Sequence, residues 1–275
     1  MQKKVQVSML AAGLLLFTAC KKSSTTDNGG TTGGGTTEAV AKYTKKVYVE
    51  DFTGTWCGYC PDMAVSLDTK SRTTPNLVFT EVHNAAGRTD PYHTPYSNTL
   101  GSTFNITGFP TALINRNAAQ QADPDNVGSF INSNLSTTKI HTGIKIESSI
   151  DAGGIIRVTT SIGFSDTYVE ALKVACYLVE DSLLTDQTNY NSALGGGTLR
   201  NYLHRNVLRE VANSNVLGEP IAGATRDNTV TKTYNFSSVG YNRNNLKIIT
   251  LVMNNANNKV YNCQIAKVGT VKDFD

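Results

Sequence analysis

The sequence predicts a two-part folded chain: a mixed α/β domain over residues 39–139, then an all-β sandwich over residues 140–275. Three observations carry this. An apolar run, Lys46 to Phe52, leads through Trp56-Cys57-Gly58-Tyr59-Cys60-Pro61 into a helical pattern, the order of a strand, a tight turn and a helix. After Ile140 the apolar period changes to two and stays there. Upstream of both, Lys21 to Glu38 is almost wholly Lys, Ser, Thr, Asp, Asn and Gly, with nothing to bury against the entropy of folding, so it reads as a flexible tether.

The first element is a targeting segment. Lys3 and Lys4 precede an apolar stretch from Val5 to Phe17 that is shorter than the ~20 residues of a spanning helix. Phe17-Thr18-Ala19-Cys20 then resembles the lipobox of a bacterial lipoprotein, although Phe17 stands where leucine is usual. Residues 1–19 are thus expected to be a signal peptide and Cys20 the acylated first residue of a membrane-tethered protein, with 20–38 as its tether. An ordinary secretory signal with an incidental cysteine is the alternative.

In residues 39–139, Lys46–Phe52 and Leu77–His83 have the β-branched and aromatic content of buried strands. Asp62–Thr73 is expected to be a helix bearing Met63, Val65 and Leu67, and Phe109–Asn115 a further strand. Asp123–Leu135 is expected to be a helix with Val127, Phe130, Ile131 and Leu135 on one face. Two cysteines three apart are bridged when the first sits at a helix mouth and the second one turn inside. The macrodipole then stabilises a thiolate on an exposed Cys57 and leaves Cys60 sheltered. A CxxC is also half of a zinc site, which His83 and His93 are placed to complete. No second CxxC is present, so a redox or structural disulfide is preferred and no metal or cofactor is assigned.

The strand, redox turn and helix resemble the thioredoxin fold. That resemblance implies an acid six residues before the nucleophile, matched by Asp51, and a cis-proline facing the disulfide, matched by Pro110 in Thr107-Gly108-Phe109-Pro110-Thr111. It gives Cys57, Cys60, Asp51, Pro110 and Trp56 catalytic roles and places Phe109, Thr111 and Tyr59 against a substrate peptide. Gly58-Tyr59 is also the dipeptide of periplasmic disulfide isomerases. The insertion from Asn84 to Asn105 lies between strand and proline, where it would border the site.

Beyond Ile140, strands are expected around Ile144–Ile150, Ile156–Phe164, Leu172–Leu178, Thr229–Phe236, Leu246–Met253 and Lys259–Val268, with Asn254–Asn258 as a hairpin loop. Six antiparallel strands without helices suggest an immunoglobulin-like sandwich. Cys176 and Cys263 fall in these strands, either as a structural pair or as two buried thiols.

The redox motif, Gly108–Thr111 running into Asn115-Arg116, the block Tyr202-Leu203-His204-Arg205-Asn206-Val207-Leu208-Arg209, Gly218-Glu219-Pro220-Ile221 and Gln264–Val268 together resemble the Omp28-related outer membrane lipoproteins of Bacteroidetes-type bacteria. The resemblance implies an envelope location, most simply lipid-anchored at the outer membrane, and supplies no activity. A net charge of +3 with interspersed signs argues against nucleic acid as a partner, and no serine elbow, phosphate loop or dinucleotide fingerprint occurs. Two functions remain. The preferred one is a thiol-disulfide oxidoreductase or isomerase acting on cysteine-containing envelope proteins with a separate redox partner. The other is a non-enzymatic binding or adhesion lipoprotein whose Cys57–Cys60 bond is structural.

Overall fold

Strands β2 (Val47–Thr53) and β3 (Leu77–His83) are buried along their whole length in the computed structural model, which describes residues 38–275. The expected signal segment, Cys20 and nearly all of the tether lie outside the described residues. β2 and β3 run parallel in register Val49↔Phe79 and Asp51↔Glu81. Between them lies helix α1 (Cys60–Thr73), begun by Cys60 and Pro61, where a missing N–H costs nothing. Helix α2 (Pro95–Thr103) closes the insertion, and α3 (Val127–Asn134) follows the short strands β4 (Thr111–Ile114) and β5 (Gln121–Ala122).

These strands belong to a larger sheet. β9 (Leu172–Glu180), β12 (Val207–Val211), β15 (Leu246–Asn254) and β16 (Val260–Lys267) join it in the order β16-β15-β9-β12-β3-β2-β4-β5, with β13 (Glu219–Ile221) also paired to β9. A second sheet of β7 (Thr142–Ile150), β8 (Ile155–Phe164), β14 (Thr229–Ser237) and β17 (Val271–Lys272) has the order β14-β8-β7-β17. Two small ribbons complete the fold: β1 (Tyr43–Thr44) with β6 (Lys139–Ile140), and the hairpin β10 (Leu183–Asn189) with β11 (Gly197–His204).

Alternation along the strands sends side chains to the two faces of the large sheet. Val47 and Val49 of β2 and Leu77 and Phe79 of β3 meet Met63 and Leu67 of α1 and Val127 and Ile131 of α3. Farther along that face, Leu172, Val174 and Leu178 of β9 and Ile248 of β15 pack against Ile144, Ile146, Val158 and Ile162 of the second sheet. The opposite face holds Tyr48, Phe52, Val82, Tyr177, Ile249 and Leu251, covered by Leu100 of α2 and by Phe104 just past its end.

This overturns the expected fold class of a thioredoxin-like α/β domain followed by a separate immunoglobulin-like sandwich. The free edge of β3 pairs in parallel with β12, Val207 opposite Glu81, so strands from before and after residue 139 share one sheet and one core. The four-stranded layer does form one leaf of a sandwich, but its other leaf continues into β3, β2, β4 and β5. Local periodicity reports which residues are buried; it carries no information on which distant edge a strand will pair with.

Candidate functional site

The cysteine motif sits at the end of the large sheet where β2, β3 and β9 finish and β12 begins. Cys57 and Cys60 are joined in a disulfide. Cys60 is the first residue of α1, so Cys57 lies in the preceding turn, its carbonyl accepting from the Cys60 N–H at 3.3 Å. The expectation of an exposed first cysteine does not hold: Cys57 is 3% and Cys60 1% exposed.

The cover comes from the β10–β11 hairpin. The Thr188 N–H donates to Thr55 O at 2.8 Å and the Tyr190 N–H to Gly58 O at 2.7 Å, so the hairpin pairs with the backbone edge of the motif loop. Buried Gln187 adds Nε2 bonds to Cys57 O (2.8 Å) and Gly54 O (3.2 Å). The Tyr190 ring presses so closely on Gly58 that a Cβ there would stand 2.4 Å from it. Asn191 donates to Asp62 Oδ1 on the first turn of α1, and Arg205 pairs with Asp68 of the same helix at 2.9 Å.

The other expected site residues gather around this loop with contacts of their own. The Phe109–Pro110 peptide bond is cis, and Phe109 stacks edge-on against Trp56 at 5.5 Å. The Trp56 indole donates to Asn84 O and lies under the Arg88 guanidinium. Thr111 Oγ1 donates to Gly108 O. Tyr59 is 62% exposed and meets Tyr190 edge-on. Tyr59, Val65, Pro110, Asn191 and Leu194 border a groove of about 530 Å³. Of the apolar residues expected in this helix, Met63 and Leu67 are buried and Val65 is exposed.

Asp51 is fully buried and neither carboxylate oxygen has a hydrogen-bond partner. Burial, with the charge of neighbouring Glu81, pushes its carboxyl well above the ordinary range. Beside it lies a cluster that spacing along the chain did not bring together: Glu81, His83, Asp90 and His204. His83 Nδ1 is 3.0 Å from Asp90 Oδ2, which also accepts from the Thr55 N–H and so ties the cluster to the motif loop. Burial pulls the His83 pKa down, but Asp90 and Glu81 outweigh it and hold it at about 9. Glu81, His83 and His204 have the donor set of a metal site. His83 is thus engaged by Asp90 and not by the cysteines, which are bonded to each other, while half-buried His93 contacts Asn98.

The sequence signal of the hairpin is weak: β10 alternates only partly and β11 is exposed at five of its eight residues. In the block Tyr202 to Arg209, which carries part of the family resemblance, His204 is the residue that stands beside Glu81. Cys176 and Cys263 are unpaired, since they lie on opposite faces of the large sheet, Cys176 under the second sheet and Cys263 in the core beneath α2.

The family model for the outer membrane protein Omp28 matches residues 97–272. The chain belongs to the Omp28 family. Its location is therefore the outer membrane, in agreement with the envelope location expected from sequence. Among solved structures it is similar to HBP35 of Porphyromonas gingivalis, with a TM-score of 0.66 at 18% identity over 83% of this chain and 77% of that one. At that identity the likeness concerns the fold, and it spans both halves of this Omp28-family chain as one architecture. A crystal structure of a domain of the outer membrane lipoprotein Omp28 from Porphyromonas gingivalis is also similar, with 17% identity over 46% of this chain and 95% of that one, at a TM-score of 0.32. No curated protein sequence matches.

Proposed function

We propose that this Omp28-family protein is a non-enzymatic binding lipoprotein of the outer membrane, anchored through Cys20, in which the Cys57–Cys60 bond is structural. One observation carries the reading: the backbone of the motif loop is bonded to the chain's own hairpin, and both cysteines are buried beneath it. Thiol-disulfide exchange requires an attacking thiolate to reach a sulfur in line, and access is the first condition of its rate. A disulfide at the start of α1, held under a strap, instead fixes the loop from which the groove wall rises. That groove, rimmed by the exposed ring of Tyr59, which Tyr190 meets edge-on, is the surface offered to another envelope polypeptide; tyrosine supplies contact area with a polar tip and is enriched at such surfaces.

The test is trapping in the envelope. Cys60→Ser should capture no partner as a thiol-sensitive adduct on non-reducing gels, and the wild-type bond should stay oxidised across glutathione buffers. Adducts formed by Cys60→Ser and absent from Cys57→Ser would reverse the reading in favour of an oxidoreductase acting on cysteine-containing proteins. Detergent-phase partitioning checks the anchor: wild type should enter the detergent phase and Cys20→Ser the aqueous phase.

A further inference from the structure

We propose that Glu81, His83 and His204 bind one divalent transition-metal ion of the zinc class, which clamps the β10–β11 hairpin to the end of the large sheet. The site goes beyond the scaffold reading and does not depend on it. β3 supplies Glu81 and His83, β11 supplies His204, and one donor atom from each lies within 4.8 Å of the others. All three residues are buried.

The separations favour a shared cation over direct hydrogen bonds. His83 Nε2 is 3.4 Å and His204 Nδ1 3.6 Å from the same oxygen, Glu81 Oε2. Charge-assisted hydrogen bonds of this kind are ~2.7–2.9 Å long. Two donors each ~2.05 Å from a tetrahedral ion stand about 3.3 Å apart. The orientation of His83 suits the same role. Asp90 Oδ2, on a carboxylate that also receives the Thr55 and Tyr92 N–H groups, stands 3.0 Å from His83 Nδ1 and leaves Nε2 as the nitrogen turned to Glu81. A carboxylate behind the far nitrogen is the usual means of orienting a ligating imidazole.

An independent observation marks the same spot. Asp51, the register partner of Glu81 on the adjacent strand, rises from the same sheet face with both oxygens buried and unpartnered. A buried polar group left unpaired costs ~1–3 kcal/mol, more when charged, so these orphaned oxygens beside the cluster point to a missing ligand. A cavity of about 470 Å³ between α1 and β11, lined by Asp68, Glu81, Tyr202 and Arg205, gives an ion a way in. Two imidazoles with one carboxylate suit zinc and its neighbours; calcium and magnesium demand oxygen-rich shells. The fourth tetrahedral position falls to water.

The full chain, purified in detergent with its disulfide intact and stripped with a chelator, is titrated with Co²⁺ and then Zn²⁺. Expected are one Co²⁺ per chain, visible absorption of a tetrahedral centre without thiolate charge-transfer bands, displacement by equimolar Zn²⁺, and a raised Tm. His204→Phe keeps a ring against Tyr92 and Tyr202 but loses both nitrogens, and should weaken binding by ~100-fold or more. Asp90→Asn should weaken it by ~10–100-fold at unchanged stoichiometry, and this variant decides the matter where His204→Phe does not fold. Wild-type binding no tighter than that of a folded His204→Phe, an affinity unmoved by Asp90→Asn, or thiolate bands showing the ion on cysteine would each overturn the proposal.

Discussion

Arg116 shows how a single buried charge is held in this protein. The side chain is wholly buried and places Nη2 2.6 Å from Glu50 Oε1 and 2.6 Å from the Tyr177 hydroxyl, with Nη1 reaching Val216 O. Strands β2 and β9 are thereby tied to the end of β4 across the core beneath α2. Because removing one partner strands the other charge in the interior, Arg116→Ala should lose ~3–5 kcal/mol in urea unfolding. Glu50→Gln with Arg116→Met together should lose less than the sum of the two singles. The free thiols are also governed by burial. It pushes Cys176 up to about 12, with Thr250 and Thr160 offsetting only part, and Cys263 likewise to about 12. Alkylation of the native protein at pH 8 should therefore leave both unmodified for hours, with labelling appearing only in denaturant.

At the level of elements, the hairpin decides what the cysteine motif is able to do. Its hold on the loop is a short list of polar bonds: the Thr188 and Tyr190 N–H groups, and Gln187 with its two carbonyl acceptors at Gly54 and Cys57. Gln187→Leu removes two hydrogen bonds to loop carbonyls that keep only their Cys57 and Cys60 N–H donors, at a cost of ~0.5–1.5 kcal/mol each. As each ~1.4 kcal/mol is tenfold in an opening equilibrium, reduction of Cys57–Cys60 by dithiothreitol should accelerate by about tenfold or more. An unchanged rate would show that the hairpin does not limit access. Gly58→Ala, whose Cβ would collide with Tyr190, should act in the same direction.

Across the whole molecule the consequence of one shared sheet is that its halves are not independent. A fragment of residues 39–139 loses β12 from the edge of β3, and the partners of Tyr48, Phe52 and Val82 in β9 and β15. It should show no cooperative thermal transition, whereas residues 39–275 should unfold in one. A latch near Asp275 adds a pH dependence. Burial raises the Asp275 carboxyl, but Lys46, Lys272 and Gln264 outweigh it and hold it below its usual value. A carboxyl depressed in the folded state stabilises above its unfolded pKa of ~3.9 and loses that contribution as pH falls through the folded value. The Tm gap between wild type and Asp275→Asn should thus be full at pH 6 and close in the acid range.

What the sequence determined by itself was local. The β-branched run Leu77–His83 named its own strand to the residue, the alternation in Ile156–Phe164 and Leu172–Leu178 marked buried positions, and the Pro95 and Pro61 positions fit helix starts, because neighbouring residues alone set period, turn and cap. The Cys57–Cys60 bond was legible for the same reason: both partners lie within one turn of chain. Tertiary structure decided everything that joins residues far apart. Val207 closing the edge of β3, Tyr190 covering Gly58, and His204 arriving beside Glu81 and His83 are separated by more than a hundred residues along the chain. No periodicity records such meetings. They follow from which sheet edge is free and which face is still uncovered once the local elements have formed, and here they turned a motif that reads as an open redox site into a strapped and buried disulfide.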